Sequence, residues 1–109
     1  MHNQKMEGAI ANAQECAKIC NQTLTYCISM GDKHIELSHI KLLTDCAKIC
    51  ETSANFMARE SDHHSKVCGV CADICEACAK SCEDMDGEEM AKCAEACRKC
   101  AESCRSIAA

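Results

Sequence analysis

Nine of the chain's fourteen cysteines fall in its second half, at a spacing that only a helix turns into a line. Cys68, Cys71, Cys75, Cys78 and Cys82 are separated by steps of 3, 4, 3 and 4, and Cys93, Cys97, Cys100 and Cys104 by steps of 4, 3 and 4. Steps of three and four keep side chains on one stripe of an α-helix, the seam along which bundled helices meet. The first half repeats the pattern more sparsely. Cys16, Cys20 and Cys27 share a predicted face, with Leu24 between them. The face of Cys46 and Cys50 extends back to Leu43 and His39 and forward to Ser53 and Met57. Glu76, Lys80, Glu83, Glu95, Lys99 and Glu102 fall on the opposite faces, so the cysteine stripes are predicted to point inward.

The rest of the sequence agrees with helix. It has no proline and four glycines, and is rich in Ala, Glu, Lys and Met. Gly31-Asp32, Ser61-Asp62 and Asp86-Gly87 read as breaks, the last followed by Glu88 and Glu89, which suit a first helical turn. The breaks leave four helices, roughly 3–30, 33–60, 62–84 and 88–106, within one domain, 1–109. Short connections favour antiparallel neighbours. The predicted fold is therefore all-α, an antiparallel up-down-up-down four-helix bundle with a cysteine-lined core. One tyrosine, one phenylalanine and no tryptophan leave cysteine to supply much of that core. Fourteen cysteines in 109 residues lie well above the ~8–10% that signals a cysteine-driven structure. A second stripe on helix 2, Ile35, Leu42, Ile49 and Phe56, has strict seven-residue spacing. It reads either as packing within the bundle or as a surface for association with further copies.

Several function classes are disfavoured. A formal net charge of −5 and scattered basic residues argue against a nucleic-acid partner. The opening MHNQKMEGAIANAQ lacks the apolar run of about seven residues that a secretory signal needs. No segment approaches the ~20 apolar residues of a membrane span. A cytoplasmic protein is expected, with its cysteines as thiols unless something else holds them.

Six pairs have the form CxxxC: 16/20, 46/50, 71/75, 78/82, 93/97 and 100/104. Residues four apart on a helix have Cβ atoms about 5–6 Å apart, so two thiolates can converge on one ion. Soft thiolate ligands select copper(I), which accepts two in near-linear array. CxxC steps at 68/71, 75/78 and 97/100 join the pairs into a continuous ladder. Charge then limits the metal. Buried unpartnered thiolates are prohibitive, whereas a metal replaces each lost proton with positive charge. One monovalent ion per thiolate leaves the core near neutral, giving on the order of ten to fifteen copper(I) ions per chain.

Other accounts of the cysteines fit less well. Simple packing explains one or two, not fourteen in register. Disulfide frameworks belong to small loop-rich secreted domains, and cysteines four apart on a helix are awkward for disulfide geometry. Structural zinc favours closed four-ligand sets, though a stripe can bind it. Ferredoxin-type clusters are wrapped in loops with a following proline, which this chain lacks. A redox or regulatory thiol protein needs exposed low-pKa thiols beside basic groups; Arg98 and Arg105 adjoin Cys97 and Cys104 in sequence but point elsewhere on a helix. No activated nucleophile, acid/base pair or cofactor motif suggests an enzyme.

Weaker ligands accompany the thiols. His39 lies seven residues before Cys46 on its face and is a candidate ligand. Met30, His34, Met85 and Met90 gather at the bundle end that holds Cys27, Cys82 and Cys93. They read either as gap-filling side chains or as exchangeable ligands at a copper-admitting port. His2, His63 and His64 are expected at the surface.

The segments CGVCADICEACAKSC and CAEACRKCAESCRSIAA, with CAKIC at both 16–20 and 46–50, resemble the cytosolic branch of the cysteine-rich four-helix-bundle copper storage proteins. The likeness covers nearly the whole chain. It implies a bundle storing many copper(I) ions, a homotetramer, and a ligand set of all fourteen cysteines: Cys16, Cys20, Cys27, Cys46, Cys50, Cys68, Cys71, Cys75, Cys78, Cys82, Cys93, Cys97, Cys100 and Cys104. This sequence departs from the family in its first half, where Ala13, Thr23 and His39 occupy positions whose register permits further thiols. Either less copper or a different binding geometry is expected there, with His39 a candidate substitute for a thiolate.

Overall fold

The computed structural model describes residues 3–109, leaving His2 outside the described residues. Four helices follow in order: α1 (Gln4–Met30), α2 (Leu37–Ala58), α3 (His64–Glu83) and α4 (Glu88–Ala108). Each packs against two neighbours, α1 against α2 and α4, and α3 against α2 and α4. The result is an antiparallel up-down-up-down bundle measuring 45 × 21 × 19 Å. No helix among the described residues is long and apolar enough to cross a membrane.

Local chemistry sets the helix ends. Asn3 caps α1 by accepting the Met6 N–H at 2.8 Å. Gly31 closes it at φ 72°, a left-handed conformation that glycine adopts freely, and its N–H donates to the Cys27 carbonyl. Helix 2 does not begin at 33, as the Gly31-Asp32 break alone suggested. Asp32 is also left-handed (φ 51°), a 3₁₀ turn occupies Asp32–Ile35, and Glu36 is extended before α2 starts at Leu37. Helix 3 likewise starts at His64 rather than 62. Glu60 takes φ 54° after α2, and Ser61 holds a turn by accepting the His63 N–H on its hydroxyl and the His64 N–H on its carbonyl. Glu88 and Glu89 occupy the first turn of α4.

The core is made of small residues. All fourteen cysteines have 0% exposure and none is disulfide-bonded. Alanines flank the stripes on the same inward side, among them Ala47, Ala72, Ala79, Ala94 and Ala101. The larger fully buried side chains are Leu43, Met57, Met90 and His39. On α1, Thr23 rather than Leu24 takes the core position between Cys20 and Cys27: Thr23 is buried and Leu24 only half-buried. The 4-3-4 step through Thr23 follows the helical seam more closely than 4-4-3 through Leu24. On the outer face Arg98 pairs with Glu83 at 2.7 Å, and Arg105 with Asp73 at 2.9 Å and with Glu76. These pairs tie α4 to α3 and, being solvent-exposed, add little to stability.

The second stripe of helix 2 divides. Leu42 and Ile49 are half-buried against the core, and Phe56 lies under the Arg59 guanidinium, 5.1 Å from the ring centre. Ile35 is exposed on the 3₁₀ turn, near Ile28, Met30 and Leu37, which are also exposed.

Candidate metal centre

The stripes of four helices converge on one another, so sulfurs meet across helices as closely as along them. Within the CxxxC pairs 16/20, 46/50, 71/75 and 100/104, the Sγ–Sγ distances are 3.9–4.0 Å. Between helices, Cys46 lies 3.9 Å from Cys16, 3.7 Å from Cys75 and 3.8 Å from Cys97. Cys50 lies 3.8 Å from Cys71, 3.4 Å from Cys75 and 3.7 Å from Cys100. Cys20 is 3.9 Å from both Cys93 and Cys97. The sequence showed the ladders; it did not show these rungs, which depend on helix rotation and register.

Four groups of four buried sulfurs each lie within 4.8 Å of one another: Cys16, Cys46, Cys50 and Cys75; Cys16, Cys20, Cys46 and Cys97; Cys20, Cys78, Cys93 and Cys97; and Cys50, Cys71, Cys75 and Cys100. The groups interlock, because six of their ten cysteines (Cys16, Cys20, Cys46, Cys50, Cys75 and Cys97) belong to two groups each. Metal–thiolate bonds of about 2.3 Å place sulfurs about 4.6 Å apart in a linear site, about 4.0 Å in a trigonal one and about 3.8 Å in a tetrahedral one. The observed spacings therefore suit three or four sulfurs around an ion. A linear pair requires its sulfurs to open by roughly 0.6 Å from the CxxxC spacing.

Electrostatics follow from burial and from sulfur–sulfur hydrogen bonds. Desolvation raises the Cys27 thiol to about 11. In the cluster, neighbouring thiols split into proton donors and acceptors. Hydrogen bonding with Cys100 chiefly pushes Cys50 up and Cys16 and Cys71 down, while Cys16 chiefly pushes Cys97 up. At one end, the Cys104 sulfur and then the Ser53 hydroxyl, 3.3 Å from Cys68, hold Cys68 down at about 7.

The other predicted ligands separate. His39 is buried (1% exposed), with Nε2 3.4 Å from Cys27 Sγ and Nδ1 2.8 Å from Ser81 Oγ. Desolvation lowers its pKa, keeping the imidazole neutral at pH 7. Met90 is fully buried, its Sδ 3.8 Å from Cys27 Sγ. Met85 is half-buried against the core and Met30 is exposed at the end of α1. His34 stacks edge-on to Tyr26, with centroids 5.9 Å apart, and its Nε2 is buried without a hydrogen-bond partner among the described residues. His63 is exposed, and His64 is half-buried with Nδ1 2.7 Å from the Ser61 carbonyl. Sequence reasoning missed Ser81. Its only visible signal was its position beside Cys82, which does not predict contact with His39, 42 residues away.

The family model for copper storage proteins (Csp) matches residues 2–109. The chain belongs to that family. A crystallised protein of Nitrosospira multiformis shares 45% identity with it at a TM-score of 0.94, over 98% of this chain and 97% of that one. The Cu(I)-bound copper storage protein BsCsp3 shares 39% identity at a TM-score of 0.91, over 97% of this chain and 100% of that one. A Streptomyces lividans Ccsp variant shares 27% identity at a TM-score of 0.89, over 99% and 96% of the two chains. A search of the curated proteins found no match to this chain.

Proposed function

We propose that this chain stores and buffers copper(I) in the cytosol, holding many ions on the thiolates of its fourteen core cysteines, and that it is not an enzyme. The observation that carries this reading is the sulfur network: fourteen fully buried thiols, ten of them in four interlocked groups. An enzyme needs an accessible reacting group, whereas these sulfurs are fully buried among core side chains. Shared sulfurs favour bridging ligation, and a monovalent ion keeps a bridged core near neutral. Membership of the copper storage family and likeness to a Cu(I)-bound relative support the same metal. His39 joins the cysteines as a nitrogen ligand. The reducing cytosol keeps the thiols free to bind. Assembly into a homotetramer follows from the resemblance, and the exposed apolar residues Ile28, Ile35 and Leu37 offer surface for it.

Anaerobic titration with copper(I), read by competition with a chelator, tests the proposal. Uptake of on the order of ten to fifteen ions per chain is expected from charge balance. Saturation at one or two would sink it.

A further inference from the structure

Cys27, Cys68, Cys82 and Cys104 stand outside the four interlocked sulfur groups. Cys27 has acquired other company. Its Sγ lies 3.4 Å from His39 Nε2 and 3.8 Å from Met90 Sδ, with all three side chains at most 1% exposed. A thiolate, an imidazole nitrogen and a thioether thus converge from α1, α2 and α4.

The antiparallel register separates this trio from the main cluster on one side. Cys16 meets Cys46, and Cys27 meets His39, so Thr23 on α1 and Leu43 on α2 both lie between those two contacts. Both are buried, and neither offers a thiolate. On α3 and α4 sulfur continues through Cys78 and Cys93, which share a group with Cys20, to Cys82.

We propose that Cys27, His39 and Met90 form a discrete copper(I) site of mixed nitrogen–sulfur ligation, with Ser81 as its positioning residue. The proposal rests on the copper-storage reading and gives this end of the core a chemistry of its own. One copper(I) on one thiolate and two neutral donors is uncharged overall, which suits a buried site. Binding exchanges the Cys27 thiol proton for the metal, and that proton leaves to solvent. Imidazole and thioether hold copper(I) less tightly than bridging thiolates, so this ion is the last to bind and the first to leave. Ser81 acts through His39. Its Oγ, 2.8 Å from Nδ1, is placed to accept the Nδ1–H, and that tautomer leaves the Nε2 lone pair facing Cys27. Without Ser81 either ring nitrogen can carry the proton.

The test is ¹⁵N NMR of histidine-labelled intact protein, apo and during anaerobic copper(I) titration, with the His39 signal assigned by its loss in His39→Gln. Apo protein should show His39 as the Nδ1–H tautomer, and Nε2 should shift as the last equivalent binds. Ser81→Ala should mix the tautomers and weaken that equivalent about ten- to a hundred-fold, with Ser81→Thr restoring both. Met90→Leu, close to volume-conserving, should weaken the same equivalent while leaving the remaining capacity intact. Wild-type protein that loads many ions with no movement of His39 Nε2 overturns the proposal, as does an unchanged tautomer in Ser81→Ala. A chain that takes one ion with the Nε2 shift, and no more, keeps this site and rejects the storage reading.

Discussion

Replacing copper(I) with zinc(II) asks the core to do something its geometry permits only twice. Zinc in a structural site takes four exclusive ligands in a tetrahedron. Four such sulfur groups exist, but Cys16 and Cys46 are shared by two of them, Cys50 and Cys75 by two, and Cys20 and Cys97 by two. At most two of the four can be filled together without sharing a sulfur. Each filled group carries two net negative charges in an apolar core, so further filling becomes more costly. Copper(I) meets neither limit, because bridging lets one sulfur serve several ions and each ion neutralises one thiolate. The expected ratio is about two tightly held zinc ions against on the order of ten to fifteen copper(I) ions, a five- to seven-fold difference. Parallel anaerobic titrations against chelators of known affinity, with bound metal measured after gel filtration, give both numbers. Equal capacities would refute the reasoning, and so would seven tightly held zinc ions, because either would mean that shared sulfurs do not limit a divalent metal.

Two further outcomes follow from the packing of the apo bundle. Leu43 is fully buried, so Leu43→Ala should cost the apo protein about 2–5 kcal/mol, measured by urea unfolding under reducing conditions; a loss below about 1 kcal/mol would show that the core collapses around the gap. Apo stability should also have two pH limits, measured by denaturant unfolding at a series of pH values. The His39 pKa is lowered from 6.5, so its contribution is present above that value and is lost as pH falls below it, whereas Cys27 is raised from 9.0 to about 11, so its contribution is full below 9.0 and is lost as pH rises towards 11. Stability unchanged across both limits would contradict the burial of these groups.

The legible part of this molecule was the part written in cysteine. On α3 and α4 an unbroken series of steps marks the inward face, and every residue it marks is buried. On α1 and α2 the marker is interrupted by Ala13, Thr23, Leu43 and Ser53, which follow the same geometry without advertising it. Leu24 drew the eye on α1 because it is apolar, yet helical pitch gave the core position to its smaller, polar neighbour. The start of α2 was misread for a different reason. A glycine marks a break but does not say how many residues the turn consumes, and here a 3₁₀ turn opened by a left-handed Asp32, with Glu36 after it, consumes five more before Leu37. Cross-helix partners lay out of reach, because Cys50 meeting Cys100, or His39 meeting Ser81, is decided by the rotation and register of separate helices.

The uneven distribution of thiols has a mechanical meaning. Along α3 and α4 sulfur runs the full length of the bundle, from Cys68 and Cys104 at one end to Cys82 and Cys93 at the other. On α1 and α2 the thiols of the four-sulfur groups are Cys16, Cys20, Cys46 and Cys50, all near the middle. Metal bound through those groups therefore ties all four helices together only at the centre. Towards the ends other contacts must hold α1 and α2. At one end these are Met57 and Ser53 with the buried Ala9 and Ala13; at the other they are Leu43, Thr23 and the Cys27–His39 contact. The larger apolar side chains stand where sulfur is scarce. A thiol core is only modestly hydrophobic, so placing Leu43, Met57 and Met90 towards the ends lets the bundle close before metal arrives and leaves the centre to be cross-linked by it.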